Sequence, residues 1–265
     1  MNLYLRELKA HRKSIIIWSV AMIFLIFAGF SKYSAGAADG ADSFNVLIAE
    51  MPKSLQNLFG VGIYDLSKLV DYYGVFYLYI ALMVTIHAVM LGNTILAKEE
   101  RDKTAEFLLV KPISRNGIII GKLLCAVTLV IILNLVTWIS SLLAFEQFSK
   151  GEAYALPLLK LMLGLFGMQV LFLLLGSLLA ALIRRYQLSS SMGTGILMIM
   201  FFLSVVIDIS GKLDFLKGLT IFKYFDAKDI LKIGYNYIYL IVACVLAAIF
   251  TCGTFYFYRK RDMKV

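Results

Sequence analysis

Residues 161–183 read Leu161-Met-Leu-Gly-Leu-Phe-Gly-Met-Gln-Val-Leu-Phe-Leu-Leu-Leu-Gly-Ser-Leu-Leu-Ala-Ala-Leu-Ile183, without a charge or a proline. A helix needs about 20 apolar residues to cross the hydrocarbon of a bilayer. Arg184 and Arg185 follow at once, where such a helix would emerge into the headgroups. Backbone amides in lipid must bond within their own segment, which a helix achieves and an open strand does not. This stretch is therefore read as a membrane-spanning helix.

Working outward, five more stretches qualify or nearly qualify: residues 14–31, 72–97, 123–145, 188–207 and 235–258. The six together hold about half of the 265 residues, yet none of the 26 basic or 17 acidic residues and none of the three prolines lies inside them. The chain is 61% hydrophobic and 16% charged, where a soluble domain has about 45–50% apolar and roughly 25% charged residues. An ordinary soluble enzyme, a disordered chain, a collagen and a disulfide scaffold are excluded. The first span is short, and Lys13 and Lys32 can lengthen it by reaching to the interfaces. Its basic start and Ala35-Gly36-Ala37 resemble a cleavable leader, but the apolar run exceeds the usual leader core of about 7–15 residues, so it is expected to be retained. Cys125, Cys244 and Cys252 lie in spans without CxxC spacing and read as small buried hydrophobes.

The charges outside the spans give an orientation. If the N-terminus is cytoplasmic, the inner segments are 1–13, 98–122, 184–187 and 259–265, with 16 basic and 6 acidic residues in 49 positions. The outer segments 32–71, 146–160 and 208–234 have 10 basic and 11 acidic residues in 82 positions. Basic density is more than twofold higher inside, so both termini are expected in the cytoplasm. The net charge of +9 is then a topology signal and a contact with anionic lipid. A nucleic-acid footprint, a basic face interleaved with aromatics, does not appear.

Chemistry-bearing motifs are sparse. His11 and His87 stand far apart, and neither belongs to a His-Glu-x-x-His pattern. No Gly-x-Ser-x-Gly elbow occurs. Gly117-Ile-Ile-Ile-Gly121-Lys122 falls one residue short of a phosphate-binding loop and is followed by Leu123 in place of Ser or Thr. The cytoplasmic segments are too short to form a nucleotide-hydrolysing domain. The spans hold no Asp, Glu or Arg of the kind that binds or relays a coupling ion. Their notable polar residues, His87, Asn93, Asn134 and Gln169, are expected to bond neighbouring helices. An intramembrane enzyme would need a catalytic pair, and only His87 offers itself.

The connection after the second span reads Lys98-Glu-Glu-Arg-Asp-Lys-Thr-Ala-Glu-Phe-Leu-Leu-Val-Lys-Pro-Ile-Ser-Arg115. Mixed charge gives way to a helix-prone core, 104–110, that sets Phe107, Leu108 and Leu109 beside charge. Pro112 stops it. Ser114 can cap the next helix, and Lys122 is expected at the membrane edge. Such a short amphipathic helix lies on lipid or fits a groove on a cytosolic protein.

These residues resemble the signature of type-2 ABC permeases, the six-span membrane subunits of ATP-driven exporters. The shared features are Glu99 and Glu100, then Thr104, Glu106, Leu108 and Leu109, then Pro112, Ile113, Ser114, Arg115 and Lys122. Lys103 departs from the Gly that many members carry. Residues 219–227 resemble the family's last external loop, with Ile221 where many members have Pro.

The resemblance implies an all-α integral membrane protein with six transmembrane helices, both termini cytoplasmic, and short interfacial and coupling helices. One permease domain would occupy 1–265. Residues 1–13 would be an amphipathic connecting helix, 98–122 the cytoplasmic coupling loop, and 32–71 and 208–234 external loops, the latter with short helices on the outer leaflet. Glu100, Thr104, Glu106, Phe107, Leu108, Leu109, Pro112 and Arg115 would couple to the ATPase, with Glu106 facing it. The implied partners are two cytosolic ABC ATPase subunits, a second permease copy or paralogue, and the lipid bilayer, with no nucleic acid. ATP and Mg would be bound by the ATPase, and no cofactor by this chain.

Tyr73, Tyr77, Ile80, Val84 and His87 share one face of the second span. The family places the second and fifth spans along the substrate path, so this stripe and Thr194 are path candidates. Packing and interfacial anchoring are the alternative for the stripe, and close helix approach for Ser191, Gly193, Thr194 and Gly195. The expected function is outward movement of an amphipathic or hydrophobic substrate (a drug-like molecule, peptide or lipid) across a prokaryotic inner membrane. The alternative is a membrane sensor or scaffold that uses the same loop without transport.

Overall fold

The computed structural model describes residues 3–38, 52, 56, 64, 65, 68–101, 114–148, 151, 153–183, 185–210 and 213–260. Among them the fold is all-helical with no strand. In chain order come α1 (Leu3–Ala38), α2 (Leu69–Arg101), α3 (Arg115–Phe148), α4 (Ala155–Leu182) and α5 (Tyr186–Ser210). A 3-10 turn (Asp214–Leu219) and two short helices, α6 (Ile221–Tyr224) and α7 (Ala227–Lys232), lead to α8 (Tyr237–Lys260). The six long helices are each apolar and long enough to cross a membrane, matching the six spans read from the sequence.

The starts of α1, α3 and α5 and the ends of α2, α4 and α8 lie at one end of the bundle, here the terminal end. The segment between α5 and α8 closes the opposite, lid end. α4 is the central helix, packed most extensively on α2 and also on α8, α3 and α5; α1 lies against α3. In its most apolar window α4 is 72% buried, against 11% for α8. The sequence explains the centre, since a helix apolar all round is a helix surrounded on all sides.

α2 and α4 touch backbone to backbone. A Cβ added at Gly92 would sit 2.2 Å from the Leu173 carbonyl oxygen, and one at Gly176 would sit 2.4 Å from that of Val89. Each glycine faces the other helix, and small residues at such a crossing let dispersion contacts form along both helices.

Three readings gain detail. Residues 3–13 run into the first span as part of α1, with no proline between them. Their inward face is polar: Glu7 and His11 are buried while Leu5 is exposed. Cys125 is buried, but Cys244 and Cys252 face outward on peripheral α8. The polar residues of the spans divide as well. Asn134 donates to the Met162 carbonyl at 3.3 Å, and Ser189 donates to Asn93 Oδ1 at 2.5 Å, so both link helices. The buried amide of Gln169 has no hydrogen-bond partner among the described residues.

Candidate functional site

At the terminal end the charges converge on α1. Glu7 is fully buried and accepts from Arg6 at 2.8 Å and from Lys98 at 3.2 Å. Lys122 is fully buried too and donates to the Ile95 carbonyl at 2.6 Å. Lys98 and Lys122 are the two stems of the loop that carries the family-like signature, so both stems meet the start of α1 in one charged cluster. Burying charges is costly unless they are paired and hydrogen-bonded, which this arrangement supplies.

The second stem has further ties. Ser114 Oγ accepts from the Gly117 amide at 3.1 Å, the N-cap contact of α3. Arg115 donates to the Arg259 carbonyl at 2.7 Å, and Arg259 donates to Asn116 Oδ1 at 2.7 Å. A cation on the last carbonyls of α8 complements the negative end of that helix. Thr104, Glu106, Phe107, Leu108, Leu109 and Pro112 lie outside the described residues, as does Lys103. Glu100 falls in the last turn of α2, with its side chain outside the described residues.

The stripe on α2 keeps to one face, and that face points into the bundle. Tyr73, Tyr77, Ile80, Val84 and His87 are all buried. Tyr73 shares a 2.7 Å hydrogen bond with Ser141 of α3 and packs among Phe30, Phe76 and Phe145. Ile80 and Val84 are fully enclosed. Tyr77 lines a small cavity of about 50 Å³ beneath the lid, with Tyr64, Ser204 and Asp208. His87 borders a different cavity, of about 250 Å³, with His11, Ser14, Trp18, Thr94 and Lys98.

Thr194 stands apart from the stripe. It is half-buried on α5 and lines an open cavity of about 550 Å³ with Tyr186, Gln187, Ser190 and Ser191. The Tyr186 hydroxyl meets Thr94 Oγ1 at 3.3 Å, which joins this cavity's wall to that of the His87 cavity. Thr94, Ser14, Gln187 and Ser190 were not singled out from sequence. The signal was present in α5, where Gln187, Ser190, Ser191 and Thr194 repeat at helical spacing.

The lid end is built differently. Ile221, Phe222, Tyr224, Phe225 and Ile230 are buried against the bundle rather than lying on its surface. Phe225 rests where α4 has Gly167, and Thr220 donates to the Met200 carbonyl at 2.9 Å. Lys223, nearly inaccessible, bridges Asp208 at 2.6 Å and Asp226, and Lys228 adds a 3.1 Å bond to Asp208. Burial alone would raise the Asp226 pKa, but the Lys223 ammonium and the Lys228 amide outweigh it and hold the carboxyl below its ordinary range. Burial would likewise lower the Lys223 pKa, and the Asp226 and Asp208 carboxylates reverse that and raise it.

Among the described residues no group of three or more His, Cys, Asp or Glu gathers as a metal site. The family model described as "ABC-2 family transporter protein" matches residues 1–263. No curated protein matches the chain.

Proposed function

The chain belongs to the ABC-2 transporter family, and from that premise we propose that it is the permease subunit of an ATP-driven exporter. In this reading the terminal end is cytoplasmic and the lid end faces outward, in the inner membrane of a prokaryote. Two ABC ATPase subunits, which bind ATP and Mg, dock on residues 98–122, with Glu100, Thr104, Glu106, Phe107, Leu108, Leu109, Pro112 and Arg115 as the coupling residues. A second permease copy or paralogue completes the path for an amphipathic or hydrophobic substrate.

The observation that carries this reading is the convergence of both loop stems on Glu7. Lys98 and Lys122 enclose one buried carboxylate on α1, and Arg115 holds the end of α8. A push on the loop therefore reaches α1, α2, α3 and α8 together through charged contacts and helix ends. Packed helices of this sort move as bodies rather than deforming. Of the path candidates, His87 and Thr194 border the larger cavities and are the stronger. Tyr73, Ile80 and Val84 serve the path through packing, and Tyr77 borders it only beneath the lid.

The test is capture of the cognate ABC ATPase by the purified permease in detergent. Glu106→Lys and Leu108→Asp abolish capture while the gel-filtration profile stays that of the parent chain. Undiminished capture by both variants contradicts the coupling assignment. ATP-dependent movement of substrate in vesicles that hold both subunits separates an exporter from a sensor or scaffold, which predicts none.

A further inference from the structure

Beneath the lid, α2, α5, the lid and the 32–71 segment meet around the cavity of about 50 Å³. Tyr64 and Tyr77 line it, 6% and 3% exposed, and among the described residues neither hydroxyl has a hydrogen-bond partner. Each hydroxyl rests on a glycine. A Cβ added at Gly74 would stand 2.9 Å from that of Tyr64, and one at Gly164 would stand 2.9 Å from that of Tyr77. The Tyr235 hydroxyl, also beside Gly164, gives its proton to the Lys160 carbonyl at 2.5 Å. Asp208, Asp226, Lys223 and Lys228 stand on the same cavity wall and are joined to one another in ion pairs. Burial, and after it the Asp226, Asp71 and Asp208 carboxylates, raise the Tyr64 pKa, so its hydroxyl keeps its proton and stays a donor.

Buried hydroxyls without partners are costly, and two of them on one polar cavity point to an occupant that bonds both. At roughly 30 Å³ for each water, the cavity has room for about one or two. A bare cation would meet Lys223 and Lys228, and a bare anion would meet Asp208 and Asp226. Water accepts from a phenol and donates to a carboxylate, so it suits both kinds of wall. We propose that this cavity is a water site, in which ordered water accepts from Tyr64 and Tyr77 and donates to the Asp208 or Asp226 carboxylate, fastening α2 and the 32–71 segment to the lid. The Asp65 amide donates to Asp71 of α2 at 2.9 Å, which fixes the backbone next to Tyr64. The lid then cannot lift from α2 without breaking the water joint. The site goes beyond the permease reading and needs neither ATPase nor substrate.

The test is hydrogen exchange at neutral pH in nanodiscs, read on the peptide that spans α6 and α7, with α3 as the internal reference. A hydroxyl without a partner loses nothing when it is removed, so Tyr64→Phe and Tyr77→Phe would then leave lid exchange unchanged or slow it. Through the water joint each is expected to speed lid exchange about two- to tenfold, the effect of one hydrogen bond, with α3 unchanged. Both act on one water cluster, so the double variant is expected to exchange about as fast as the faster single variant. Ser204→Val adds bulk to the cavity wall and displaces the water without altering either phenol. In that background the two Phe changes are expected to have no further effect. If they keep their effect there, the hydroxyls bond the protein directly and the proposal is overturned. Unchanged or slower exchange in either single variant overturns it, as do effects that multiply in the double variant. A saturable dependence of lid exchange on sodium or chloride, replaced by N-methylglucamine or gluconate, makes an ion the occupant and overturns it too. No outcome here touches capture of the ATPase, so failure of this site is distinguishable from failure of the coupling assignment.

Discussion

The two ends of the bundle solve the problem of buried charge in opposite ways. At the lid end, Lys223 and Lys228 meet Asp208 and Asp226, two charges against two, and the aromatic residues of the lid close over them. At the terminal end Arg6, Lys98 and Lys122 come from three helices to the buried Glu7, and a cavity opens beside Lys98. A neutralised cluster under a lid holds two segments in one arrangement. A cluster built from α1, α2 and α3 beside a cavity ties three helices together and leaves them room to move as one. Under the proposed orientation, the contrast suits a permease whose lid end holds one arrangement while its terminal end takes the push of an ATPase.

Several substitutions break or sharpen this contrast. Lys223→Met leaves Asp226 buried without its cation and is expected to destabilise the protein most, by about 3–5 kcal/mol, read as a fall in thermal midpoint in detergent. Gly92→Ala acts between the two ends: its Cβ would meet the Leu173 carbonyl at 2.2 Å, so the helices must part. A loss of about 1–3 kcal/mol is expected, with α2–α4 cysteine crosslinks formed less readily. Glu7→Gln should cost less, about 1–2 kcal/mol, because Arg6 and Lys98 are partly exposed and can turn to water, leaving Lys122 on the Ile95 carbonyl. Its larger effect is on coupling: ATP hydrolysis by the bound ATPase continues while substrate movement per ATP falls. If Glu7→Gln destabilises more than Lys223→Met, the two ends have been assigned the wrong characters.

The smallest effect is that of pH on the lid. Asp226 has a lowered pKa, so its stabilisation is present above the ordinary carboxylate value and is lost as pH falls through the lowered one. Lys223 has a raised pKa, so its stabilisation is present below the ordinary lysine value and is lost as pH rises through the raised one. Asp229 on α7 has a raised pKa from burial and gives the opposite slope on the acid side, so hydrogen exchange of α6 and α7, corrected for intrinsic rates, should be flat from neutrality to about pH 10 and should accelerate above that. Acceleration near neutrality would contradict the pairing.

The spans were legible because lipid enforces a simple rule on composition, and residues 161–183 show it without interruption. Their packing was less so. The face carrying Tyr73, Ile80 and Val84 was readable from spacing, but whether it met solvent, substrate or a helix depended on α1 and α3, which spacing on α2 does not encode. The partners of Lys122 were hidden for a related reason. A lysine after an interfacial stretch ordinarily reaches water, and only the fold brings Glu7 and the Ile95 carbonyl to it. The lid's inward turn depended on Gly167 of α4, far away in sequence, making room for Phe225.

The central claim is that the 98–122 loop faces the cytosol, where an ATPase can grip it. The direct measurement places a single cysteine at Lys103 in a chain whose Cys125, Cys244 and Cys252 are replaced by alanine, and labels it with a membrane-impermeant maleimide in intact cells and in inside-out vesicles. The account predicts labelling in the vesicles and none in intact cells. Labelling of intact cells, with none in the vesicles, would contradict it.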